Sequence, residues 1–273
     1  MRTAFSTLGC PNANLPEVIQ LAVENGISGL ELRVHEGGIV SEHMSPAEVK
    51  TVQKSLLEAG LTVVSLGTYV KVCAPDDAGM DAKLERSFEL AELIGAEAVR
   101  VFPGAGTSAA SNEQELSEAE DRGVARLARA LRMAETTGVR VLLETHDSHP
   151  RGVDVARVLS CLPESPYLGS IWDVLHPWSH GETPDETAHH LGHGLAYIQL
   201  KDARRDQETG EMHLVLPSAG DVPLERALEM FHKAPGPSAN KWVSLEWEKA
   251  WHHDLPDLSE ALSAFAETMK AYR

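Results

Sequence analysis

Four apolar runs in the second half of the chain end on residues that bind cations or move protons: Glu144 in "VRVLLETH", Asp173 in "LGSIWDV", Gln199 in "AYIQLKD" and Glu246 in "WVSLEWE". The neighbours of each are apolar. An unpaired carboxylate costs several kcal/mol to bury in such surroundings, so three acids converging on one place demand a cation or protons. Carboxylate oxygens joined by an amide carbonyl suit one hard divalent ion. Mg²⁺ and Mn²⁺ are favoured, with Co²⁺ or Zn²⁺ possible, although zinc is more often held by His or Cys. The competing reading is structural, with Glu144 and Glu246 pairing to arginines such as Arg33 or Arg100. His176 follows Asp173 by three residues, which can set both side chains over the same mouth. "ETHDSHP" offers His146 and His149, of which one is expected in a pocket. His189 and His193 are four apart but lack the glutamate of HExxH, so they read as a solvated face.

These residues need a frame to bring them together. Short β-branched runs recur at 3–9, 26–33, 61–69, 96–103, 139–146, 168–174, 196–202 and 242–248, with amphipathic segments between them. Asn14 and Ser45 stand before an early proline and an acidic first turn, as helix N-caps do. Leu84, Phe88 and Ala91 follow helical spacing, and Gly95 then closes their segment like a C-cap glycine. Strict β/α alternation through eight units predicts a (β/α)8 TIM barrel over 1–273, as a single domain. A doubly wound sheet would want GxGxxG after its first strand, where "LGCPNANLP" stands instead. In a TIM barrel the chemistry lies at the C-terminal strand ends, which is where Glu144, Asp173, Gln199 and Glu246 fall. "HKAPGPSANK" (232–241) reads as a loop before the last strand.

Composition limits the partners. The 273 residues carry 41 acidic against 24 basic side chains, a formal net charge of -17 that disfavours nucleic acid. The cysteines Cys10, Cys73 and Cys161 are far apart and form no CxxC, which predicts buried thiols in a reducing, cytoplasmic setting. No apolar stretch suggests a signal peptide or a membrane span. The sequence leaves the oligomeric state open, a homo-oligomer included.

The segments "FSTLG", "GLELR", "VRVFPG", "LLETH", "WDVLHP", "IQLKD" and "SLEWE", in that order, resemble the xylose isomerase-like TIM barrels of the sugar phosphate isomerase/epimerase superfamily across essentially the whole chain. Within the ketose 3-epimerase branch, the resemblance implies one divalent ion held by a Glu, an Asp, a His and a second Glu from the last four strands. Here those positions are Glu144, Asp173, Gln199 and Glu246, and the two glutamates are implied to move the proton. His176 is implied to contact substrate, and His146, Lys201 and Arg205 are further substrate-binding candidates. Gln199 departs from the pattern: an amide oxygen replaces imidazole, which shifts preference toward Mg²⁺ or Mn²⁺ and puts the branch's own substrate in doubt.

The resemblance implies a small sugar or sugar derivative as substrate. A metal chelating a carbonyl and its neighbouring hydroxyl acidifies the adjoining carbon, and carboxylates on its two sides then give epimerisation or aldose–ketose isomerisation through an enediolate. Loss of a β-hydroxyl instead gives an inosose dehydratase-like lyase. A sugar-binding subunit without turnover is a further reading, to which only Gln199 leans. An AP endonuclease-like enzyme of the endonuclease IV kind would need extra histidines after strands 3 and 4. "LGTYVK" and "RVFPGAG" have none, and His213 matches one further ligand at most.

Overall fold

The computed structural model describes residues 1–75, 78–107, 112–235 and 241–272. Seven strands, β1 (Arg2–Ser6), β2 (Gly29–Arg33), β3 (Thr62–Lys71), β4 (Ala98–Phe102), β5 (Arg140–Glu144), β6 (Leu168–Asp173) and β7 (Leu195–Leu200), precede an antiparallel ribbon of β8 (Asp202–Arg205) and β9 (Met212–Val215). Strand β10 (Trp242–Leu245) then pairs with both β7 and β1 and closes a parallel barrel of eight strands. Closure excludes the doubly wound alternative. The segment expected as one strand over 196–202 divides at Lys201, because Asp202 turns away and its carboxylate accepts the amides of Ala203, Gly220 and Val222. Of the expected loop at 232–241, residues 236–240 lie outside the described residues.

Helices α1 (Leu15–Glu24), α2 (Pro46–Glu58), α3 (Ala78–Ile94), α4 (Glu113–Thr137), α5 (Gly152–Leu159), α6 (Leu175–Ser179), α7 (Pro184–Leu191), α8 (Leu224–Lys233) and α9 (Leu258–Thr268) lie between or after the strands. Their ends follow local chemistry. Asn14 and Ser45 form capping boxes with Glu17 and Glu48, and a proline occupies the first turn of α1 and of α2. Gly95 takes φ +77° immediately after α3, a backbone that side-chain-bearing residues rarely adopt. No helix among the described residues is long and apolar enough to cross a membrane.

The barrel strands are buried along nearly their whole length, as expected when helices cover the outer face and side chains fill the inside. Its N-terminal end is plugged by Trp242, over which the Arg2 guanidinium stacks at 3.8 Å. Gly29 is required there, since a Cβ would lie 2.5 Å from the Trp242 ring. With that end filled, the polar residues gather at the other. Register places Asp173 beside Gln199 and Gln199 beside Ser244. Alternation of side chains along the strand returns Glu246 to the side of Ser244, the barrel interior.

The three cysteines are free, but they are not all buried: Cys73 is, Cys10 is half-buried and Cys161 is exposed. Cys161 follows the C-terminal end of α5, where the chain reaches the surface.

Candidate functional site

Buried acids at the C-terminal end of the barrel surround two fixed cations. From β5, Glu144 is fully buried and its Oε2 accepts from Arg100 Nη1 at 2.9 Å. The Lys201 ammonium, just past β7, lies 2.8 Å from Asp173 Oδ2 and 2.6 Å from Glu246 Oε2, and it also contacts Glu248. The Asp173 Oδ1 atom accepts the Leu175 amide at 2.9 Å, which ties the end of β6 to the start of α6. Glu31 of β2 joins from the other side, accepting from Tyr197 and, at 3.0 Å, from Gln199 Nε2.

This arrangement leaves Glu144 and Glu246 each with one oxygen held by a cation and a second less engaged, while both oxygens of Asp173 are in use. Glu144 Oε1 and Gln199 Oε1 are buried with no hydrogen-bond partner, and Asp173 Oδ2 meets the Lys201 ammonium and, at 3.6 Å, His176 Nε2. Glu246 Oε1 has a long contact of 3.4 Å with Gln199 Nε2. Ligand atoms of Glu144, Asp173 and Glu246 lie within 4.8 Å of one another. Five carboxylates, Glu31, Glu144, Asp173, Glu246 and Glu248, share the charges of Arg100 and Lys201. The surplus of negative charge and the orphaned oxygens are what a divalent ion would satisfy, so the residues present fit such a group.

Electrostatics follow from this crowding. Burial pushes Glu31 up to about 7, with Glu246 adding to the rise and Ser244 and Tyr197 opposing it. Glu144 is also raised by burial, against the pull of Arg100. For Glu246 burial acts upward too, but Lys201 and Arg100 outweigh it and bring the group down to about 2. Lys201 stays charged despite burial because Asp173, Glu246 and Glu248 surround it. Burial, then Lys201 and His146, hold the His176 imidazole well below its ordinary range.

Above the acids opens a cavity of about 270 Å³, lined in part by Glu31, Arg33, His146, His176, Gln199 and Glu246. The rings of His146 and His176 meet edge to face at 4.6 Å; His146 Nδ1 and His176 Nε2 are buried without a hydrogen bond and face Asp147 Oδ2 at 3.4 Å and Asp173 Oδ2 at 3.6 Å. Both imidazoles also lie within 4.8 Å of a Glu144 oxygen.

A sequence model of the family described as "xylose isomerase-like TIM barrel" matches residues 19–269. The chain belongs to this family. None of the curated proteins matches it significantly. Among solved structures, it is similar to an IolI protein with a bound zinc atom, at TM-score 0.77 and 16% identity over 98% of this chain and 96% of that one. A probable 3-DHS dehydratase, AsbF of Bacillus anthracis, superposes at TM-score 0.76 and 19% identity, covering 97% and 98%. D-psicose 3-epimerase, in the presence of D-fructose, does so at 0.76 and 14%, covering 98% of each chain. At these identities the likeness is one of fold.

Within this xylose isomerase-like barrel, the expected residues divide into three groups. Glu144, Asp173, Gln199 and Glu246 come together with Lys201 at the strand ends, and His146 and His176 line the cavity above. Arg205 lies elsewhere, on β8, with its guanidinium over the Trp178 ring and donating to the Ser179 carbonyl. His149 turns away from the cavity to Glu120 Oε1 at 3.1 Å. His189 and His193 are both exposed, and α7 ends between them at Leu191, so they do not share a helix. The structural pairing considered for Glu144 exists, through Arg100, while Glu246 pairs with Lys201 and with no arginine among the described residues. Glu31 and Tyr197 were not expected at the site, and Arg33, considered as a partner for the glutamates, lines the cavity without an ion pair to either. "GLELR" carries the signal for Glu31, a carboxylate inside an apolar strand, as in "VLLET".

Proposed function

We propose that the protein is a divalent-metal-dependent sugar epimerase or isomerase that moves a proton through an enediolate, with Glu144 and Glu246 as its proton carriers. The observation that carries this reading is the cluster of Glu144, Asp173 and Glu246 oxygens within 4.8 Å of one another beneath a cavity of sugar size. The less engaged oxygens of Glu144 and Glu246, with Asp173 Oδ2 and Gln199 Oε1, would hold the ion, and Mn²⁺ or Mg²⁺ suits this all-oxygen set. When bound, the ion supplies Lewis acidity toward a substrate carbonyl and hydroxyl.

The remaining work belongs to the chain. Arg100 holds one oxygen of Glu144 and Lys201 holds one of Glu246, which fixes the orientation of each carboxylate for proton transfer. One glutamate removes the proton from the carbon beside the carbonyl, and the other returns a proton to the opposite face or to the adjacent carbon. His146 and His176 offer imidazole nitrogens to substrate hydroxyls from the cavity wall. Tilted over His146 at 4.3 Å, the Phe102 ring adds apolar cover that excludes water from the exchanging carbon. Free, unpaired cysteines agree with a reducing, cytoplasmic setting.

The test is deuterium uptake from D₂O into recovered ketohexoses with Mn²⁺ present. The expected result is exchange without loss of water, lowered about 10²–10⁴-fold in Glu144→Gln and in Glu246→Gln. Formation of a deoxy-dicarbonyl product would replace this reading with the dehydratase one. Sugar binding that survives both substitutions, with no exchange in the wild type, would make the protein a binder.

A further inference from the structure

Arg33, the last residue of β2, lines the same cavity as the acids but belongs to none of their ion pairs. Its guanidinium stands 4.6 Å from the centre of the Trp251 ring and 5.4 Å from that of Tyr69, and its Nε donates to the Tyr69 hydroxyl. No carboxylate among the described residues pairs with it. Trp251 is 55% exposed and Tyr69 37%, so these rings form the mouth of the cavity and not its floor. An arginine stacked between aromatic rings keeps its planar fork in a fixed orientation, and the paired Nη groups are left as unused donors. The other cations at the site are already committed, Arg100 to Glu144 and Lys201 to Asp173, Glu246 and Glu248.

We infer that Arg33 is the subsite for a carboxylate at the end of the substrate remote from the reacting carbon, so that an acidic keto-sugar is preferred over a neutral ketose. This rests on the reading of the site as a keto-sugar enzyme and adds the substrate class. A planar guanidinium matches a carboxylate with two parallel hydrogen bonds. A phosphate would want further cations or a set of backbone amides, and the cavity lining offers no lysine beside Arg33.

Three probes that differ only at the terminal carbon test the assignment: D-fructose, D-fructuronate and D-fructose 6-phosphate, titrated calorimetrically into the wild type, Arg33→Met and Arg33→Lys, with Mn²⁺ and again with EDTA. The expected result is that fructuronate binds the wild type about tenfold or more tighter than fructose. That preference should vanish in Arg33→Met, which keeps an apolar stem against the rings, and return in part in Arg33→Lys. Equal affinity for fructose and fructuronate overturns the carboxylate subsite while leaving the epimerase reading standing. A preference that persists in Arg33→Met overturns it by assigning the carboxylate to the metal or another cation, and tightest binding of the phosphate replaces the ligand class. Binding of none of the three overturns both readings. An Arg33-dependent preference without deuterium exchange keeps the subsite and removes the epimerase.

Discussion

At the scale of single residues, Lys201 and Gln199 distinguish this site from a simple acid cluster. The Lys201 ammonium is 1% exposed and touches three carboxylates, so it neutralises part of the charge that the strand ends bring together. Lys201→Met leaves those acids uncompensated and should destabilise the fold by about 3–5 kcal/mol in EDTA, measured by urea denaturation, with part of the loss recovered on adding Mn²⁺. Gln199 supplies an amide whose Nε2 is engaged by Glu31, which leaves the oxygen as the free atom. Gln199→His puts imidazole nitrogen in its place, and the Zn²⁺-to-Mg²⁺ affinity ratio should rise by about tenfold or more in competition titrations. An unchanged ratio would mean that position 199 is not a ligand. The identities of Glu144, Asp173, Gln199 and Glu246 were legible from chain order and apolar flanks. The engagement of Lys201 was not, because a long flexible side chain after a strand end reaches different partners with small changes in rotamer.

At the scale of elements, helix ends were the most local feature and so the most readable. Asn14, Ser45 and Gly95 act through atoms within a few residues of themselves, and the sequence contains all the partners. The first turn of α5 is more dependent on context. Asp154 accepts the Arg151 amide and pairs with Arg151 and Arg157, while Glu182, from beyond α6, accepts the amides of Gly152 and Val153. Burial acts upward on Asp154, but its arginine partners hold it below the ordinary value of 3.8. A carboxylate with a depressed folded pKa adds stability above that ordinary value and loses it as pH falls through the folded one. Asp154→Asn should therefore cost about 1 kcal/mol at neutral pH, limited by solvent screening of the half-exposed arginines, and the gap should close below about pH 4. Thermal melts of both proteins across this range check it; a constant gap would assign the loss to packing. The ribbon of β8 and β9 was unforeseen, since "AYIQLKD" reads as one strand over 196–202 until Asp202 is seen to accept amides from residues 203, 220 and 222.

At the scale of the whole molecule, the closed barrel stores negative charge at one end and an aromatic plug at the other. A cation that binds only the folded chain stabilises it by mass action, about 2.7 kcal/mol at a hundredfold excess over Kd. Adding Mn²⁺ to EDTA-treated protein should therefore raise Tm by several degrees, and the same addition to a Glu144→Gln, Glu246→Gln double variant should raise it far less. An equal shift in both would place the ion elsewhere on this acidic surface, which carries a formal net charge of -17.

By itself the sequence determined the (β/α)8 order, the helix ends and the residue types brought to the C-terminal mouth, because these depend on periodicity, local caps and the rule that parallel strands deliver their ends to one face. Tertiary structure alone decided which oxygen of Glu144 and of Glu246 a cation holds. It also put Lys201 among the carboxylates and Glu31 behind Gln199, and left Arg33 with no ion pair among the described residues. Those outcomes depend on barrel register and on contacts between residues more than a hundred positions apart, as for Glu31 with Gln199, and no local pattern encodes such pairings.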